Sequence, residues 1–282
     1  IKISLPGLYD SFMFSFFLRK SVLNFISSIA FITTSFKLKS SLKKQVAIVT
    51  GTSSGIGLGI TQALLLHGYC VVANSRNISK LKDLKLTSDL ILVDGDIGKL
   101  DSAIKVSDAA IKNFDHIDLL VNNVDICMPK PFTDYTPADF ELMIGTNVAG
   151  YFFITQRVVA EMRKQKSGHI VGISTILMDA PLAGARISLP VLTKSAIPEF
   201  NRALAMELVA DGIRANTISP SVVDTPMPAK DDHEILKKLQ LSVLISQIVD
   251  ALLYLESAPM MNGENIRIGG AQKSFETERQ LT

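Results

Sequence analysis

The chain has 282 residues and a formal net charge of +2 from 29 basic and 27 acidic side chains. It is long enough to bury a full core, and too evenly charged past its N-terminal region to argue for a nucleic-acid partner. With only two cysteines, Cys70 and Cys127, both in or beside apolar runs, a disulfide framework or metal centre is not expected. The thiols read as buried, in a reducing compartment, and the folded domain is expected in the cytoplasm, with organellar or export targeting left open by the N-terminal segment.

Residues 1–42 differ from all that follows, being rich in Phe, Ser, Ile and Leu with Asp10 as the one acid. The apolar runs 12–18 and 22–36 are split by Arg19-Lys20, so neither reaches the roughly 20 residues of a membrane span. A signal peptide, an organellar transit peptide and an over-extended translation start all remain open readings, and membrane contact is expected only through this extension.

From residue 43 to 282 the pattern is that of one domain. Strands are expected at 46–50, 69–74, 90–93, 117–121, 169–173, 213–218 and 265–268, each a short apolar or β-branched run. Helical spacing lies between them, as in Ile104, Ala110, Ile111 and Phe114, or Phe140, Met143, Ile144, Val148 and Phe152. Such alternation gives an α/β, doubly wound, Rossmann-like parallel sheet of about seven strands with helices on both faces. After the first strand comes Thr50-Gly51-Thr52-Ser53-Ser54-Gly55-Ile56-Gly57. Glycines allow a sharp turn and close backbone approach, and the helix start behind them attracts negative charge. Strand, glycine turn and helix thus come in the order a dinucleotide pyrophosphate needs.

Further short motifs follow in sequence: Asp96-Ile97, Asn122-Asn123, Asn147-Val148, Ser174-Thr175, Thr193-Lys194, Pro220 and Thr225-Pro226-Met227. With the glycine turn they resemble the short-chain dehydrogenase/reductase family from about residue 43 to 272. The resemblance implies cofactor binding by Gly51, Ser53, Ser54, Gly55, Ile56, Gly57, Ser75, Arg76, Asp96, Ile97, Asn122, Lys194, Pro220, Val223 and Thr225. It implies chemistry at Asn147, Ser174, Thr175 and Lys194, a small carbonyl or alcohol substrate, and a homodimer or homotetramer. No metal site is implied, because His67, His116, His169 and His233 lack ligand spacing.

After the second strand, Ser75-Arg76 with no acid beside it suits a 2′-phosphate, so NADP(H) is favoured over NAD(H). The alternative is a solvated Arg76. In the family a tyrosine four residues before the lysine exchanges the proton; in this chain Pro190 stands four residues before Lys194. Proline can donate no proton. An oxidoreductase with another proton route and a cofactor-binding protein with little turnover both remain open. Three further departures concern the site: Asp125 where a small residue is expected, Ser221 after Pro220, and Pro198 inside the helix expected beyond Lys194, where it removes a hydrogen bond.

Overall fold

A computed structural model describes residues 43–78, 84–179, 184–223 and 243–269. The extension over 1–42 lies outside them. The chain divides into Ile1–Lys44 and Gln45–Thr282, and every element below belongs to the second unit.

The seven apolar runs form β1 (Val46–Thr50), β2 (Cys70–Ser75), β3 (Leu90–Asp94), β4 (Leu119–Asn122), β5 (Gly168–Ile173), β6 (Ile213–Pro220) and β7 (Asn265–Ile268). All pair in parallel, in the order β3-β2-β1-β4-β5-β6-β7. Between them run α1 (Gly55–Leu66), α2 (Leu100–Phe114), α3 (Pro137–Met143), α4 (Gly150–Gln165), α5 (Ser188–Leu208) and α6 (Ile245–Ser257). Among these described helices none is long and apolar enough to cross a membrane.

Neighbouring residues of a strand face opposite ways, so each strand supplies two cores. Val46, Ile48, Val72, Leu120 and Ile170 pack with Val106 of α2, Ile154 and Val158 of α4, and Leu208 of α5. Ala47, Val49, Val71, Leu119 and Val171 pack on the other face with Ile60 and Leu64 of α1 and Ile248 and Leu252 of α6. This is the doubly wound arrangement that continuous apolar strands require. The strand order reverses between β1 and β4, which opens a crevice at their C-terminal ends.

The helical pattern around residues 140–152 resolves into α3, a π-helical turn over Ile144–Ala149, and α4. Thr136 caps α3, its hydroxyl accepting from Asp139 N–H while the Asp139 carboxylate accepts from Thr136 N–H, and Pro137 occupies the first turn. The π-helical turn carries Asn147.

A buried polar cluster sits at the opposite, N-terminal edge of the sheet. His169 of β5 and Glu256 of α6 are hydrogen-bonded, Tyr69 donates to Glu256 at 2.9 Å, and Arg214 of β6 donates to the carbonyls of Leu255 and Met261, each at 3.0 Å, closing the end of α6. The Asn216 amide is oriented by Glu264 N–H, which donates to its oxygen, and by its own bond to Met261 O. Its second N–H donates to His169 Nε2. With Nε2 accepting, the ring is neutral and its Nδ1 proton faces Glu256, so that Arg214 Nη2, 3.1 Å from Nδ1, sits beside the ring without donating to it.

Burial pushes the His169 pKa below its ordinary value, against the pull of Glu256. Burial opposes ionisation of Glu256, but the hydrogen bonds from His169 and Tyr69 outweigh it and hold its carboxyl below the usual range. Both groups bind fewer protons folded than unfolded, so each contributes stability that is full above its unfolded pKa and is lost on acidification. The urea midpoint is therefore expected to fall as pH is lowered through about 6.5. His169→Gln should remove the part of the decline that accompanies histidine protonation at about pH 6.5, and an unchanged profile in that variant would refute the assignment.

Candidate active site

The glycine turn lies where the strand order reverses. Gly51 and Gly55 have φ values of 72° and 57°, in the left-handed region that favours glycine. A Cβ on Gly57 would come 2.3 Å from Gly51 O, and one on Gly51 would come 2.9 Å from Asn123 Nδ2. Gly51 N and Thr52 N both donate to Asn74 O at the end of β2, at 2.9 and 3.1 Å. Across the crevice, Asn123 Nδ2 donates to Thr50 O (3.0 Å) and Gly51 O (3.2 Å), while Thr50 Oγ1 accepts from Asn123 N–H at 3.1 Å. Ser53 and Ser54 are exposed, and Ser54 gives α1 no side-chain cap. First-turn N–H groups have no partner within a helix, so this end of α1 can accept an anion.

The second half of the expected cofactor set is also brought to the C-terminal edge. Ser75 ends β2, and Arg76 follows it exposed. Asp96 Oδ1 accepts from Gly98 N–H at 3.0 Å; Ile97 is buried. Asn122 donates to Thr155 Oγ1 at 2.8 Å. Pro220 ends β6, and Val223 pairs with Val243. Thr225 and the loop expected over 224–234 lie outside the described residues.

Asn147 ties together the segments that carry the expected catalytic residues. Its oxygen accepts from Ile126 N–H at 2.9 Å, and its two N–H groups donate to Ile126 O and Thr193 Oγ1, each at 3.0 Å. Residues 123–126 thus form a strap fixed at Asn123 to the turn and at Ile126 to Asn147. From this strap Asp125 Oδ1 lies 3.6 Å from Lys194 Nζ. The Asp125 carboxylate, which stands where a small residue was expected, is paired with a cation. Lys194 is 5% exposed and also donates to Ile173 O at 3.0 Å.

Pro190 is buried in the first turn of α5, as its missing N–H allows. Neither neighbouring tyrosine replaces a hydroxyl there. Tyr151 donates to Asn201 Oδ1 at 2.8 Å under Gly172, and burial raises its pKa well above the ordinary value. Tyr135 donates to Met128 O at 2.7 Å.

Ser174 and Thr175 differ in what their hydroxyls do. Pro198 lies inside α5 and has no N–H for the carbonyl four residues back. That carbonyl belongs to Lys194, and Ser174 Oγ donates to it at 3.0 Å. The Ser174 hydrogen is therefore committed. Thr175 Oγ1 accepts from Leu177 N–H at 3.2 Å and keeps its own hydrogen for another acceptor. Spacing could not show either assignment, since both depend on how β5 meets α5. Cys127, read from its apolar run as buried, is exposed on the loop after the strap; loop residues lack the alternating faces that make such a run diagnostic in a strand.

A sequence model of a family described as short chain dehydrogenase matches residues 45–235. An uncharacterized oxidoreductase of Staphylococcus epidermidis is 31% identical over 220 residues, covering 77% of this chain and 93% of that one. A glucose and ribitol dehydrogenase homolog of Oryza sativa subsp. japonica is 30% identical over 267 residues, covering 85% and 89%. In structure the chain is similar to a short-chain type dehydrogenase/reductase from Mycobacterium marinum, with TM-score 0.76, 24% identity, and 82% and 96% of the two chains covered. It is also similar to a 3-ketoacyl-(acyl-carrier-protein) reductase from Brucella melitensis complexed with NADH, with TM-score 0.75, 23% identity, and 82% and 99% covered.

Removing the Ser174 hydroxyl should leave a buried carbonyl without a partner, at a cost of about 1–3 kcal/mol. Pro198→Ala restores the helix N–H to Lys194 O. In urea unfolding, Ser174→Ala is expected to destabilise the wild type and to cost less than half as much in the Pro198→Ala background. Equal costs in both backgrounds would refute the coupling.

Proposed function

The chain belongs to the short chain dehydrogenase family of oxidoreductases, and on that premise we propose that it transfers hydride between NADP(H) and a small-molecule carbonyl or secondary alcohol. The observation that carries this reading is the turn at Gly51–Gly57, bent through positive φ at the strand-order reversal and feeding an uncapped helix start. The residues present fit a dinucleotide. A Cβ at Gly51 or Gly57 would not fit the bend, and the buried Asn74 Oδ1 at the end of β2 has no hydrogen-bond partner, an acceptor open to a ligand or water donor.

Gly51, Ser53, Ser54, Gly55, Ile56 and Gly57 would take the pyrophosphate, Asp96, Ile97 and Asn122 the adenosine half, and Lys194, Pro220, Val223 and Thr225 the nicotinamide half. Arg76 with Ser75 would take the 2′-phosphate. When bound, such a cofactor supplies or accepts the hydride. The protein's share is orientation and the proton. Thr175, whose hydrogen is uncommitted, polarises the substrate oxygen in preference to Ser174, and Lys194, directly or through a water, moves the proton that residue 190 cannot. General acid catalysis contributes about 10² to 10⁴ in rate, so a slower route is compatible with turnover. Asn147 positions the strap and α5 for these groups, with a water relay beside it.

A second reading is a cofactor-binding protein with little turnover, favoured by the buried Pro190 and by the tyrosine hydroxyls bound elsewhere. The half-exposed Phe152, packed edge-on with Phe200 of α5, supports a homodimer or homotetramer built on α4 and α5. We place the folded domain in the cytoplasm, a reading that rests on the low cysteine content.

In titrations, NADPH should bind about tenfold more tightly than NADH, and Arg76→Glu should reverse the order. Failure of both cofactors to bind would refute the dinucleotide reading. In a carbonyl panel, Pro190→Tyr should raise reductase turnover by about 10² or more; ordinary turnover in the wild type would refute the low-activity reading.

A further inference from the structure

The described site holds a charge pair whose placement is set by backbone. Asp125 lies between two clamped residues, Asn123 on the glycine turn and Ile126 on Asn147. Its carboxylate is 3.6 Å from Lys194 Nζ, a distance that is an ion pair and too long for a direct hydrogen bond. The lysine side chain is 6% exposed and the aspartate 29%. The ammonium is thus enclosed, while the carboxylate borders the crevice.

In a sheet of this order the glycine turn on β1 takes the pyrophosphate, and the two halves of a dinucleotide spread over the two halves of the sheet. The adenosine end goes with Arg76 on the β2–β3 side. The reacting ring then lies over β4 and β5, where the strap and Lys194 stand. That ring is cationic when oxidised and neutral when reduced. Lys194 alone would disfavour the cation; the carboxylate offsets that effect.

We propose that Asp125 sets the redox preference of the site, favouring the oxidised dinucleotide relative to the reduced one. The inference rests on the dinucleotide reading above and assigns a role to a residue that otherwise reads as a simple counter-ion. A structural counter-ion would change the binding of both redox forms together, whereas the proposed role changes their ratio.

The test uses the full chain and calorimetric titration with oxidised and reduced NADP separately, so that no turnover is needed. Asp125→Asn is expected to raise the ratio of oxidised to reduced dissociation constants about tenfold, and Asp125→Glu to keep the wild-type ratio. Lys194→Met, which leaves the carboxylate unopposed, should move the ratio the other way and tests the same point should the asparagine variant fail to fold. Binding of both forms with the ratio unchanged in a folded Asp125→Asn or Lys194→Met variant overturns the proposal and leaves the dinucleotide reading intact. Absence of binding by the wild type in either form overturns both.

Discussion

The Asn123 amide bridges the gap between β1 and β4. Its two bonds to Thr50 O and Gly51 O join strands whose connections leave the sheet in opposite directions. They extend the parallel pairing of β1 with β4 past its last ladder residues and hold the turn at Gly51 against the strand end. Each such bond contributes only about 1 kcal/mol. Their weight lies in position, because this one side chain links the turn before α1 to the start of the strap over 123–126.

From that anchor the site divides by chemistry. One side offers backbone N–H groups and an exposed arginine, suited to phosphate; the other offers an enclosed ammonium, a carboxylate and one uncommitted hydroxyl. The proton-bearing group expected one turn before Lys194 is replaced by a residue that helps start α5. The remaining polar groups nearby also hold structure, since Lys194 donates to Ile173 O and Ser174 to Lys194 O.

The sheet was legible because buried parallel strands are near-continuous apolar runs, and Val46–Val49 or His169–Ile173 can hardly be read otherwise. The glycine turn and the position of Lys194 were legible from local spacing. Less local features were not. The pairing of Asp125 with Lys194 joins residues 69 positions apart, and the Ser174 bond depends on a proline that removes a donor on another element. Cys127 was misplaced because its apolar neighbours belong to a loop. The π-helical turn at Ile144–Ala149 left no trace in a pattern that a regular helix would also satisfy.

Ser174 and Pro198 also constrain the routes by which this sequence can change. A proline arriving while the serine hydroxyl is in place meets a ready donor for the orphaned carbonyl. One arriving with alanine at 174 must pass through a less stable protein. The reverse holds for departure, where the proline must leave first. The two positions therefore admit one order of substitution far more readily than the other, a history-dependent restriction that comes from a single carbonyl on α5 and lies within one turn of the residue that replaced the expected proton donor.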